Sequence, residues 1–311
     1  MDSKLRALIV GAGTTGFATG QSLLQRCVDV WFHDTDASTK RSLEARGCQV
    51  LDAATNRPEN FDIIYISVPT PTEPSGMSEK YLVQALETTS QLVSASSSYT
   101  VVTVRSTILP GTMDGLIVPH LKAGARGHQL GICYQPSFAR SATAELDEAH
   151  PRVIVAACEG VETTAVMMRV FRRFDSPLVL VSFKEAELIK YGANLFNALK
   201  ISYFNLLHLY SESLGASPDI VTDGSARAAV GNWDPSYGTK GGLPFDGKCL
   251  PKDLEAFILF LRTAEIGHGG LLEEVQRINA VVRRDRRSPN HQIAKSPDRE
   301  IAKSPDRRIA K

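Results

Sequence analysis

The chain has 311 residues, 43% hydrophobic and 22% charged, and its 35 Lys and Arg against 34 Asp and Glu leave a formal charge of +1. That composition is too apolar for a disordered chain, and the length allows about two domains, each able to bury a core. Nothing in the balance calls for nucleic acid or an anionic membrane surface.

The N-terminus passes through Asp2, Ser3 and Lys4 straight into an apolar strand at 5–10, leaving no room for a signal peptide. No apolar run approaches the roughly 20 residues that span a bilayer. Five scattered cysteines, Cys27, Cys48, Cys133, Cys158 and Cys249, show no Cys-x-x-Cys spacing. Together these predict a reduced cytoplasmic protein without a disulfide framework or a metal site.

Through the first 185 residues, β-branched runs at 5–10, 28–33, 62–68, 99–104, 131–134, 153–156 and 178–181 alternate with segments of helical length such as 16–26, 78–93 and 162–171. This alternation predicts a doubly wound parallel sheet covered on both faces. Between the first strand and helix lies Gly11-Ala12-Gly13-Thr14-Thr15-Gly16. Gly11 allows the tight turn, Gly13 lets backbone approach a pyrophosphate, and Gly16 lets helix and strand pack closely. Asp34 ends the second strand 18 residues after Gly16, where a carboxylate accepts from an adenosine ribose and repels a 2′-phosphate. NAD is therefore favoured over NADP, a preference that nearby Lys40 moderates. Val68-Pro69-Thr70-Pro71-Thr72 closes the 62–68 strand, and Arg105-Ser106-Thr107 with Pro110-Gly111-Thr112 closes the next. Both sit at the carboxyl edge where such sheets bind ligands, and plain turns are the alternative reading.

From 185 to 214 a single Gly and no Pro leave one helix of about 30 residues, about 45 Å long, which suits a domain bridge or an interface. Lys190 and Asn194 are four apart on it and share a face, either a solvated one or one reaching a small molecule. A Gly-rich loop is predicted over 224–248, then helices over 251–262 and 271–283, the latter with Leu272, Val275, Ile278, Val281 and Val282 on its apolar stripe. Pro251 suits a first helical position, which puts Cys249 at a helix start with Asp253 in the first turn. There the helix dipole, Lys248 and Lys252 favour a thiolate, the nucleophilic form; a buried apolar filler is the alternative. From Arg283 to Lys311 the chain holds ten basic and four acidic residues, and an octapeptide containing Lys-Ser-Pro-Asp-Arg recurs. Pro297 and Pro305 interrupt any helix, so a solvated disordered tail is expected over 288–311, an electrostatic contact with an acidic partner or nucleic acid being the alternative reading.

Taken in order, Gly11 to Gly16, Ser67-Val68-Pro69-Thr70-Pro71-Thr72, Ser106-Thr107 with Pro110-Gly111-Thr112, Glu187-Leu-Ile-Lys190 with Asn194, and Cys249-Leu-Pro-Lys-Asp253 resemble the UDP-glucose/GDP-mannose dehydrogenase family. The resemblance runs from about Lys4 to about Asn279. It implies a Rossmann-type doubly wound α/β sheet over 1–184 and an all-helical domain like that of 6-phosphogluconate dehydrogenase, with one long helix, over 185–287. It further implies NAD as cofactor, a nucleotide sugar or related small molecule as substrate, and a homodimer through the helical domain. The expected activity is oxidation of a primary alcohol toward a carboxylate in two hydride transfers. By resemblance, Gly11, Gly13, Thr14, Thr15, Gly16, Asp34, Val68, Pro69, Thr70 and Ser106 hold the cofactor. Cys249 captures the aldehyde, Lys190 and Asp253 polarise the reacting oxygen, Asn194 holds the anionic intermediate, and Thr107 orients a water.

Two departures stand out. Where the family carries Asn-Pro-Glu-Phe-Leu-Arg-Glu, this chain has Gln135-Pro-Ser137-Phe-Ala-Arg140-Ser141, and the first lost carboxylate is implicated in the family as a general base. A hydroxyl cannot replace it, so slowed or rerouted thioester hydrolysis is expected. The nucleotide-binding third domain of the family is also expected to be missing, the repeated tail standing in its place. The alternatives are a single-step alcohol or hydroxy-acid dehydrogenase, and a non-catalytic NAD-binding homologue.

Overall fold

A computed structural model describes residues 5–51, 60–125, 130–247 and 249–287. Lys248 and the repetitive 288–311 segment, singled out above, lie outside the described residues. The chain opens with β1 (Arg6–Val10), α1 (Thr14–Leu24), β2 (Asp29–His33), α2 (Ala37–Ala45) and the short β3 (Gln49–Val50). Next come β4 (Ile63–Ile66), a small hairpin of β5 (Thr72–Glu73) and β6 (Gly76–Met77), α3 (Lys80–Ser94) and β7 (Thr100–Val104). A π-helical turn, Met113–Ile117, runs into α4 (Val118–Gly124), followed by β8 (Leu130–Tyr134), α5 (Ala144–Ala149), β9 (Ile154–Cys158), α6 (Gly160–Phe171) and β10 (Leu178–Leu180). The remainder is helical: α7 (Phe183–Ser213), α8 (Pro218–Ala228), α9 (Val230–Trp233), α10 (Leu250–Thr263) and α11 (Gly270–Arg287).

The described strands of the main sheet run in the order β10-β9-β8-β7-β4-β1-β2-β3. Every residue of β4 and β7 is buried, as expected where helices cover both faces. Alternate side chains divide between the faces: Leu8, Ile64 and Val102 pack into one core, Ile9, Ile63 and Val101 into the other. The doubly wound sheet has one reversed junction. β9 pairs antiparallel with β8, through Cys133 with Cys158 and Tyr134 with Ala157, while all other pairs in this sheet are parallel. The segment after Tyr134 turns back at the carboxyl edge instead of crossing over, so β9 enters in the opposite direction. This register brings the Cys133 and Cys158 sulfurs to 3.5 Å, a proximity that their spacing in the chain does not reveal.

Residues 224–248 are not wholly a loop, because 224–228 complete α8 and 230–233 form α9. Local signals outweigh the cost of Gly224, about 1 kcal/mol in a helix interior. Pro218 stands in the first turn beside Asp219, Arg227 lies in the last, and Asp223 pairs with Arg227 at 2.9 Å. Three shorter helices, α2, α4 and α5, have no counterpart among the predicted elements. Of these α2 carried a readable start, since Asp36 caps it by accepting from the Thr39 amide at 2.8 Å.

The chain divides into two compact units, Met1–Ala198 and Leu199–Lys311, with α7 beginning in the first and ending in the second. In the second unit Tyr210, Ile258 and Leu261 are buried, Tyr210 meets Phe257 edge-on, and its hydroxyl donates to the His268 carbonyl at 2.9 Å. Among the described residues no helix is long and apolar enough to cross a membrane.

Candidate functional site

The glycine turn is built as its residue types demand. Gly11 has φ +88°, and a Cβ there would lie 2.5 Å from the Ser67 carbonyl oxygen. A Cβ on Gly16 would lie 1.9 Å from the Gly11 carbonyl oxygen, so α1 closes on the turn only without a side chain. Gly13, the residue before α1, faces open space, and no side chain caps the helix start. The first-turn amides are thus free of a side-chain competitor, an arrangement that suits a phosphate. Asp34 accepts from the Ala12 amide at 2.8 Å and from the Asp36 amide at 2.9 Å. Its carboxylate therefore braces the turn as well as lining the cleft in front of it.

That cleft, about 610 Å³, runs along the carboxyl edge of the sheet. Gly11, Gly13, Thr14, Thr15 and Asp34 from the glycine turn and the end of β2 line it, together with Val68, Pro69, Thr70, Ser106 and Thr107 from the two strand-end loops. The size lies within the usual range of ligand sites. The buried Ser106 hydroxyl accepts from the Val68 amide at 2.9 Å and donates to the Val68 carbonyl at 2.7 Å. Ser106 thus spends its hydrogen bonds fixing the loop that holds Val68 and Pro69. The Thr70 hydroxyl donates to the Thr107 carbonyl at 2.7 Å and ties the same two strand ends together.

Ser137 and Lys190 line the same cleft. Lys190 is only 7% exposed; its ammonium donates to Asn194 Oδ1 at 3.3 Å and lies 5.4 Å from the centre of the Phe138 ring. Burial and the charge of Arg105 hold its pKa below the ordinary lysine value, an effect that Glu148 opposes. Arg105 and Glu148 form a buried ion pair, Nη2 lying 2.6 Å and 2.7 Å from the two carboxylate oxygens. Ser137 donates to the same carboxylate at 2.6 Å. Neither Arg105 nor Glu148 stood out as a site residue in the sequence; the signal is a charged residue on each of two segments that must be buried.

Glu187 is fully buried and accepts from the Gly111 amide at 2.6 Å and the Met113 amide at 2.8 Å. It caps the π-helical turn and locks α7 to the loop after β7, three residues before the cleft-lining Lys190 on the same helix. Ser141 is exposed and opens a short 3-10 turn before α5.

Cys249 and Asp253 belong to the second unit. Cys249 is exposed at the N-cap of α10 and its carbonyl accepts from the Asp253 amide at 2.8 Å. Asp253 lies in the first turn, as the Pro251 signal implies, although Leu250 rather than Pro251 begins the helix. The Lys252 ammonium pairs with the Asp253 carboxylate at 2.5 Å. Among the described residues no group of three His, Cys, Asp or Glu side chains is arranged to hold a metal ion.

Comparison with known proteins adds a family to this geometry. Residues 40–175 match the NAD binding domain of the UDP-glucose/GDP-mannose dehydrogenase family, and residues 184–281 match the central domain of that family. A UDP-glucose 6-dehydrogenase of Bacillus subtilis (strain 168) is 29% identical over 297 residues, 87% of this chain and 65% of the relative. A GDP-mannose 6-dehydrogenase of Pseudomonas aeruginosa is 27% identical over 70% of this chain and 51% of its own. This chain therefore spans between half and two thirds of the length of these relatives. A solved ternary complex of GDP-mannose dehydrogenase from Pseudomonas aeruginosa shares the fold with a TM-score of 0.78 at 24% identity, over 89% of this chain and 69% of that one.

Proposed function

Because the chain belongs to the UDP-glucose/GDP-mannose dehydrogenase family, we propose that it oxidises the primary alcohol of a nucleotide sugar, with NAD as hydride acceptor. The observation that carries this reading is the convergence of the glycine turn, both strand-end loops and Lys190 on one cleft. The residues present fit the dinucleotide: Gly13 leaves room for a pyrophosphate, the uncapped start of α1 offers amides, and Asp34 stands at the end of β2 for the ribose. NAD supplies the acceptor for hydride when bound there.

Lys190 stabilises negative charge that develops on the substrate oxygen as the alcohol is oxidised, with Asn194 fixing its ammonium. Cys249 supplies the nucleophile for the aldehyde, its sulfur adding to the carbonyl carbon to give a thiohemiacetal, whose oxidation would leave a thioester with a second NAD as the hydride acceptor. Asp253 and Thr107 act on the reacting oxygen and on water. With Ser137 and Ser141 in place of carboxylates, hydrolysis of that thioester is the slow step. The functional division is a cofactor domain over 1–184 and a helical domain over 185–287. A homodimer forms through α7, which exposes Leu188, Leu195, Phe196, Leu199 and Ile201.

Incubating the chain with NAD and UDP-glucose or GDP-mannose, following NADH and weighing the product, tests this reading. NADH formation is expected with one of them, and none with either sugar overturns it. Cys249→Ala is expected to stop oxidation at the aldehyde; undiminished acid formation removes the cysteine from the mechanism.

A further inference from the structure

Behind the cleft that Lys190 lines sits a buried carboxylate with no assigned role. Glu148, on α5, is 8% exposed and carries two kinds of partner. Arg105 holds both of its oxygens, and Ser137, which lines the cleft, donates its only proton to Oε1 at 2.6 Å. The Ala139 amide in turn donates to Ser137 Oγ at 3.2 Å. A hydroxyl has one proton and two lone pairs. With the proton committed to Glu148 and one lone pair to Ala139, Ser137 keeps one lone pair and can act toward a ligand only as an acceptor.

We propose that Glu148 is the positioning carboxylate of this cleft, acting on its contents through Ser137 and through its own charge. The inference rests on the reading of the cleft as the place where an alcohol is oxidised. A substrate hydroxyl donates to Ser137 Oγ, and its oxygen accepts from the Lys190 ammonium. Two directional bonds of opposite sense thereby fix the reacting oxygen. Without Glu148 the Ser137 proton turns to other acceptors, including the substrate oxygen, and this discrimination is lost.

The charge of Glu148 has a second effect. Of the charged groups facing Lys190, Arg105 at the end of β7 disfavours the ammonium and Glu148 on α5 favours it, while burial disfavours it throughout. Glu148 thus offsets part of what burial and the neighbouring guanidinium cost the Lys190 ammonium. A purely structural ion pair needs neither the link to Ser137 nor an influence on Lys190. Arg105 Nε is buried without a hydrogen-bond partner among the described residues, which marks the pair as imperfect as a structural element.

The test compares the full chain with Glu148→Gln, Glu148→Asp and Ser137→Ala. Lys190 is titrated by pH-dependent acetic anhydride labelling read by mass spectrometry, alongside kcat and KM for the active nucleotide sugar, NAD affinity and thermal unfolding. Glu148→Gln is expected to lower the apparent Lys190 pKa and to reduce kcat by roughly 10- to 100-fold, the scale of one charge-assisted hydrogen bond, with NAD affinity unchanged. Glu148→Asp restores both in part. Ser137→Ala reduces kcat similarly but leaves the Lys190 titration in place, since the ion pair is intact. A folded Glu148→Gln that titrates Lys190 like the wild type overturns the inference, as does unchanged kcat in Ser137→Ala. If Glu148→Gln does not fold, Glu148→Asp and Ser137→Ala decide by the same measurements. Failure of the wild type to turn over either sugar counts against the proposed function alone, and the Lys190 titration still decides the role of Glu148.

Discussion

Single residues carry most of the chemistry, and the clearest of them is Gly16. Its missing Cβ is the space taken by the Gly11 carbonyl, whose oxygen would lie 1.9 Å and carbon 3.0 Å away, and backbone cannot swing aside as a flexible side chain would. Gly16→Ala is therefore expected to destabilise the first unit by at least about 1–3 kcal/mol, read as a lower midpoint in urea. Lys190 makes the opposite kind of statement. Its depressed pKa means that, between that value and the ordinary 10.5, the folded chain binds fewer protons than the unfolded one, so stability rises with pH across this window. Below the window the buried ammonium is a net cost. Lys190→Met is accordingly expected to be more stable than the wild type at neutral pH, and urea titrations should show the gap narrowing as pH approaches 10.5. A gap that widens with pH would refute the burial account.

At the scale of elements, the strands were legible because β-branched runs buried on both faces are hard to mistake, and β1, β2, β4 and β7 fall inside their predicted spans. The glycine turn was legible for the same kind of reason, since φ at Gly11 and the packing at Gly16 are local demands. Pairing direction was not, because nothing within residues 154–158 records whether the chain before them crossed over or turned back. Glu187 shows a similar limit. Its motif drew attention to Lys190, yet Glu187 itself is an acceptor for two amides 76 and 74 residues away. Glu187→Gln replaces one acceptor oxygen with a donor and is expected to cost about 1–3 kcal/mol in thermal or urea unfolding. A neutral result would mean that the π-helical turn is held by its own packing.

For the molecule as a whole, the exposed apolar side chains of α7 are the feature to explain. Leu195 is 58% exposed and Phe196 61%, on a helix with more such residues on either side. Surfaces of this kind on soluble chains mark contacts between proteins. Light scattering after gel filtration is expected to give a dimer for the wild type and a monomer for Leu195→Glu with Phe196→Glu. A wild-type monomer would overturn the proposed assembly. The net charge of +1 conceals a basic stretch beyond Arg283 against an acidic remainder, so the assembly is best measured across salt concentrations.

The sequence by itself determined what depends on neighbours along the chain. The sheet-and-helix alternation, the glycine turn, the long helix and the N-cap position of Cys249 all follow from local sterics, periodicity and capping. Only the tertiary structure decided which distant groups meet. Arg105, Ser137 and Glu148 come from three segments whose separation in the chain says nothing of a shared carboxylate, and burial enforces their union, because charges removed from water must find one another. The residue letters put a serine at 137, where the family resemblance implies a carboxylate. That a carboxylate nevertheless stands behind the serine is visible only in the fold.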